Sequence, residues 1–210
     1  MSLTILKAIL VCGIIGHAIN MYCDRLLSIF PNGVIKFSNF DDLKDSKKMA
    51  KLMDGVSEKI PMRSAILGAF AIFLEVLGYY ALTAYMYEHS KVCGIIMFLC
   101  TTLFATIGTA HHVKCGLAEY AFIKLGRDEK AHAFMLDLNN SAPITKTCFV
   151  FYLAYIVTLI VAILTGVATF PLWAVIFTIL PIVIVMWPLG IIGTMHIAAM
   201  ISFAAWIFLL

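Results

Sequence analysis

From Phe170 to Leu210 the chain is almost unbroken apolar sequence without a charged residue. Two membrane spans joined by a tight turn at Pro188-Leu189-Gly190 fit that length, whereas one long helix does not. The rest of the chain agrees with a membrane setting. Of its 210 residues, 62% are hydrophobic and 13% are charged, while a soluble domain is about 45–50% apolar and about 25% charged. The mean hydropathy of +0.99 says the same. A bilayer removes the need to bury so much apolar surface, provided every backbone polar group is satisfied inside helices.

A span needs roughly 20 apolar residues, and six stretches approach that. They predict helices over 3–30, ending at Pro31-Asn32-Gly33, and over 62–87, where Pro61 sits at the start. Others are predicted over 91–123, long enough to project, 146–168, 170–187 and 189–210. The expected fold is all-α: an integral membrane bundle of about six transmembrane helices, in one domain over 1–210. The first run, Leu3 to Phe30, exceeds the roughly 7–15 residues of a signal-peptide core and carries His17, Asn20 and Asp24, so it reads as a span.

Two polar segments remain, 31–61 and 124–145. Within 41–58, Met49, Leu52, Met53 and Val56 recur at helical spacing among charges that include Asp41 and Asp42, which predicts a short amphipathic surface helix. His89 and His132 read as solvated loop residues. Lys and Arg concentrate in these two segments, and the opposite side has only Lys7 and Lys91. The positive-inside rule therefore predicts a multi-pass cell-membrane protein with cytoplasmic basic loops and both termini outside. The net charge of +3 comes mostly from loops and carries no nucleic-acid signal. The six Cys lie in apolar stretches without a CxxC pair and read as small packing residues.

Ionisable groups inside spans cost roughly 2.5–3.5 kcal/mol each on insertion scales, which marks them as functional or paired. Counted from the loop-bearing end at ~1.5 Å per residue, Asp24 lies ~9 Å in, Asn20 ~15 Å, His17 ~20 Å, Glu75 ~20 Å, His111 and His112 ~16–18 Å, and His196 ~10 Å. Four separate segments thus place polar groups in one slab. His17, Asn20 and Asp24 share a helix face, as do Glu75 and Tyr79. His111 and His112 point about 100° apart, so one of them faces the common cavity.

Three readings fit this layer. In the leading one it lines a cavity in the cytoplasmic half that binds a lipid or small amphiphile, relays protons, or moves a ligand across the membrane. His17, Asn20, Asp24, Glu75, Tyr79, His112 and His196 would form it. In the second, His17, Asp24, His111 or His112, and His196 hold zinc, with Glu75 as general base or as the partner that orients a ligand, in a hydrolase acting on a lipid or amide. In the third the network only keeps helices in register. Membrane lipids and an amphiphilic ligand are the expected partners, nucleic acid is not, and a patch at Gly190 and Gly193 is compatible with a homo-oligomer.

The segment Gly16-His17…Asp24-Arg25-Leu26-Leu27 resembles the opening helix of a family of small, uncharacterised bacterial membrane proteins. The likeness continues through Ala110-His111-His112, Phe170-Pro171-Leu172-Trp173 and Gly193…His196, and covers nearly all the chain outside the 31–61 loop. It implies a polytopic fold and a bacterial setting and assigns no activity. At greater distance, the membrane-embedded His and Asp are similar to those of intramembrane hydrolases such as alkaline ceramidases. Those have seven spans and a His-x-x-x-His in the last helix, where this chain has His196 alone.

Overall fold

A computed structural model of the chain describes residues 1–35, 43–140 and 143–210; Asp41, Asp42 and Ser141 lie outside the described residues. The described chain is mostly helical, with one small hairpin and short turns between helices. Helix α1 runs Leu3–Leu26, with the Ser2 side chain accepting a hydrogen bond from the Ile5 N–H. It ends four residues before the expected Phe30. Ile29–Phe30 (β1) and Gly33–Val34 (β2) instead form a two-stranded antiparallel hairpin, Phe30 opposite Gly33, around Pro31-Asn32. Pro31 cannot donate to a helix, and a Pro-Asn-Gly run suits a turn.

The expected amphipathic helix is shorter than 41–58: α2 covers Ser46–Leu52. Asp45 caps it by accepting the N–H groups of Lys47 and Lys48. Two long helices follow, α3 (Lys59–His89) and α4 (Lys91–Lys124). Ser90 ends the first and caps the second, its hydroxyl accepting from the Cys93 N–H. At 34 residues, α4 is ~51 Å long, well beyond a hydrocarbon core of about 30 Å. Helices α5 (Glu129–Asn140) and α6 (Ile144–Leu164) complete the regular part.

The 170–187 stretch departs from the expected single helix. It holds a 3-10 turn at Leu172–Phe177, an extended Thr178, and the short α7 (Ile179–Met186). Pro181 explains the break: its ring would clash with the Phe177 carbonyl four residues earlier in a continuous helix. A 3-10 turn at Trp187–Leu189 and left-handed Gly190 and Gly193 then lead into α8 (Thr194–Leu209).

Among the described residues, four helices are long and apolar enough to cross a membrane: Leu3–Leu26, Lys59–His89, Lys91–Lys124 and, at the C-terminal end of Glu129–Leu164, α6. The apolar stretches Ile179–Leu189 and Thr194–Leu209 are shorter. Large apolar side chains such as Phe70, Phe73, Val92 and Val150 face outward, as lipid contact allows.

The core has two parts. The larger lies among α1, α3, α4, α6 and α8, with Leu10, Tyr79, Met97, Ile163, Phe203 and Trp206 buried at its centre. The smaller sits at the loop-bearing end, where Phe30, Met49, Met53, Phe122 and Met135 join the hairpin, α2, α4 and α5. Arg127 holds this cap together by donating to the Met53 and Val56 carbonyls. His132, expected in solvent, is buried in the cap with Nε2 2.7 Å from the Leu43 carbonyl. The apolar face of α5 turns its ring inward, a consequence of helical phase that composition does not reveal.

Candidate functional site

Three helices that are distant in sequence meet around His17, Glu75 and His196. Close approach of α1 to α3 depends on small residues. A Cβ on Gly16 would lie 2.5 Å from the Glu75 nitrogen, and Gly13 packs against Gly78 and the Phe203 ring. Gly193 seats the start of α8 on Met21. With those backbones in contact, short imidazole and carboxylate arms reach one point.

The contacts form a triangle. His17 Nδ1 is 3.0 Å from His196 Nδ1 and 3.1 Å from Glu75 Oε1, and His196 Nδ1 is 3.3 Å from the same Oε1. His17 and Glu75 are 2% and 1% exposed. Oε1 makes no hydrogen bond of acceptable geometry despite two ring nitrogens at contact distance. Lone pairs therefore converge on a common point, which is unfavourable unless a proton or cation sits there.

The outer contacts are equally ordered. His196 Nε2 lies 3.2 Å from Asp24 Oδ2, and His17 Nε2 lies 3.1 Å from the Tyr79 hydroxyl. Tyr79 is 2.9 Å from the Tyr152 hydroxyl, and Tyr155 donates to the Tyr79 carbonyl. Both triangle histidines thus have the ring nitrogen opposite Nδ1 held by an oxygen. Rings of Tyr79 and Phe203 wall the site, with centroids 5.7 and 5.5 Å from that of His17.

The geometry suits a transition metal. A tetrahedral ion with bonds of about 2.0–2.1 Å spaces its ligand atoms roughly 3.3 Å apart, and an octahedral one about 3.0 Å. The triangle spans those values, and a point ~2 Å from all three atoms lies just off their plane. Two imidazoles and one carboxylate leave further coordination positions open.

Other expected residues take varied places. Asn20 is buried on the same side of α1, and its Oδ1 has no partner among the described residues. His112 Nδ1 stands 4.0 Å from Asp24 Oδ1, while its Nε2 is 3.1 Å from the Ser64 carbonyl. Gly68 makes room for that ring, because a Cβ there would fall 1.9 Å from Nε2. His111 leaves the cluster and turns to Thr145, 2.9 Å from its Nδ1, and to Cys115. Glu75 stands at the triangle, and Asp24 stands behind His196. Ser64, Tyr152 and Tyr155 escaped the sequence reading. The tyrosines sit in the unbroken apolar run of α6, and Ser64 looks like any small helix residue.

Depth also changes. Because α1 ends at Leu26, Asp24 lies only ~3 Å and His17 ~14 Å from its end at ~1.5 Å per residue. No curated protein and no solved structure matches the chain. Its whole length, residues 1–210, matches the model of a family of unknown function, DUF6796, and the chain belongs to that family.

Proposed function

We propose that this chain is a membrane-embedded, metal-dependent hydrolase in which His17 Nδ1, His196 Nδ1 and Glu75 Oε1 hold a divalent ion. The observation that carries the reading is the triangle of 3.0, 3.1 and 3.3 Å with a buried, unbonded carboxylate oxygen. Zinc matches two imidazoles and a carboxylate with an open position for water. Bound there, the ion would bring the pKa of water to about 7 and polarise a carbonyl. The chemistry it would supply is hydrolysis of an ester or amide, in which one water would give its hydroxyl to the acyl carbon and its proton to the departing oxygen or nitrogen.

In this reading the two carboxylates exchange the parts expected from sequence. Glu75 is a ligand, and Asp24 accepts from His196 Nε2–H, fixing the tautomer that points Nδ1 at the ion. Tyr79 does the same for His17. We also infer six spans, with α7 and α8 as a short pair, the basic loops in the cytoplasm and both termini outside.

A second reading is favoured by one feature. Tyr152, Tyr79, His17, His196 and Asp24 form a chain with successive separations of 2.9, 3.1, 3.0 and 3.2 Å. Such a chain suits a proton relay in a ligand-binding or transporting protein. Metal analysis of detergent-purified protein separates the two. The hydrolase reading expects one equivalent of zinc, lost in His17→Ala and His196→Ala. Metal-free protein that takes up none on addition refutes it in favour of the relay. Native iron refutes hydrolysis in favour of oxygen chemistry, since the same three ligand types serve iron oxygenases.

A further inference from the structure

We propose that the substrate is a membrane amphiphile that reaches the metal centre sideways, from the lipid, through a gap between the last turn of α1 and the first turn of α8. This inference rests on the metal-centre reading and adds the substrate class and its route.

The exposure of the site defines the gap. His17 and Glu75 are closed off, but the His196 side chain is 15% exposed and that of Asp24 is 36% exposed. The centre therefore reaches the surface past these two residues. The gap follows from where α8 begins. Gly193, at φ 83°, rests on Met21, so Asp24 lies almost one turn farther along α1, beyond the start of α8. The His196 ring reaches it, and the Asp24 side chain stays 36% exposed.

The chemistry around the gap names the occupant. Trp187, Leu189 and Ile191 at the α7–α8 turn are all exposed. No charged residue occurs after Lys146. The two other connections at this end, 31–61 and 124–145, are dense in charge. A turn of sequence Trp-Pro-Leu-Gly-Ile-Ile-Gly suits lipid, not water. On the loop side, the smaller apolar core of Phe30, Met49, Met53, Phe122 and Met135 gathers the hairpin, α2, α4 and α5, not α8. The start of α8 is left with an apolar, uncharged turn beside the polar floor of Asp24 and His196. An amphiphile fits that arrangement: its chain lies along Leu189 and Ile191, and its ester or amide sits at the level of Asp24 and His196.

Hydroxamates test this, because they chelate an open metal position without being cleaved. The full chain is loaded with Co(II) in phosphatidylcholine nanodiscs, and the visible Co(II) absorption reports occupancy. Acetohydroxamate is compared with dodecanoyl hydroxamate, in wild type and in Ile191→Trp, which narrows the gap. Leu189→Trp serves as the second variant should Ile191→Trp fail to take up Co(II). The proposal expects the long-chain probe to bind more tightly, and the Trp variant to weaken it about tenfold, the scale of one apolar pocket contact, with acetohydroxamate unchanged. Equal weakening of both probes, or of neither, overturns the lateral route and leaves the metal centre standing. Failure of the wild type to take up Co(II) overturns the metal reading and this inference with it.

Discussion

Replacing Asp24 with Asn tests the division of labour between the two carboxylates. Asn keeps the size of Asp and an oxygen that can accept from His196 Nε2, but loses the charge. The bond in question is 3.2 Å long, between a ring that is 15% exposed and a carboxylate that is 36% exposed. Removing a partner behind a metal-bound histidine typically weakens metal affinity about 10–100-fold. Because Asn keeps an oxygen that accepts from Nε2–H and loses only the charge, the lower end applies. The expected loss is about tenfold, or roughly 1.4 kcal/mol. Competition for zinc against a chromophoric chelator, in detergent-purified protein, measures it. His17→Ala run alongside should abolish binding. Two outcomes refute the reasoning. Unchanged affinity would mean that Asp24 does not orient His196. Abolished affinity would make Asp24 a ligand and Glu75 its support, the arrangement expected from sequence.

Tyr79→Phe keeps the ring packing but leaves His17 Nε2 and the Tyr152 hydroxyl without their shared partner. It should lower stability by roughly 1–3 kcal/mol, read as a fall in the thermal midpoint of the metal-loaded protein. In the cap, the Asp45 carboxyl is held below its usual pKa by the Lys48 N–H and, less strongly, by that of Lys47. A depressed carboxyl stabilises the fold above its unfolded pKa, and that contribution vanishes as pH falls through the lower, folded value. Hydrogen exchange of the α2 amides should therefore accelerate more on acidification, after correction for the intrinsic rate, in wild type than in Asp45→Ala. Equal acceleration in the two would count against the cap.

The sequence made the bundle and the polar slab legible because both depend on composition along single helices. His17, Asp24, Glu75 and His196 stand out as ionisable residues in apolar runs, and they meet in space. What stayed hidden depends on relations between helices. Whether Glu75 or Asp24 faces the triangle turns on the approach of α3 to α1 at Gly16, and the depth of Asp24 on where α1 ends, which the apolar Ile29-Phe30 pair hides. His111 and His112 were separable only as a pair. The choice between them falls to Gly68, which accepts the His112 ring, and Thr145, which accepts His111. The break at Phe177-Thr178 was written in Pro181, but hydropathy averaged over it.

If the triangle is set by backbone approach, a residue that carries no chemistry should control metal binding. Gly16 is that residue. A Cβ at Gly16 would stand 2.5 Å from the Glu75 nitrogen and 2.7 Å from the Ala71 carbonyl oxygen, both backbone atoms that cannot swing aside. Restoring ordinary contact at about 3.5 Å requires α1 and α3 to separate by ~1 Å. His17 is carried by α1 and Glu75 by α3, so the separation falls directly on their 3.1 Å edge. Metal–ligand distances tolerate about 0.2 Å, so Gly16→Ala should lose zinc while remaining helical by circular dichroism. Gly108 supplies the contrast. A Cβ there would meet the Cys148 sulfur at 3.4 Å and the Phe104 ring at 3.7 Å, both ordinary contacts with side chains and not backbone. Gly108→Ala should therefore keep its metal. Equal loss in both variants would mean that general loosening of the bundle disrupts the centre, and equal retention would mean that side-chain freedom absorbs the shift. Only loss confined to Gly16→Ala supports a centre whose dimensions are fixed by the distance between two helix backbones.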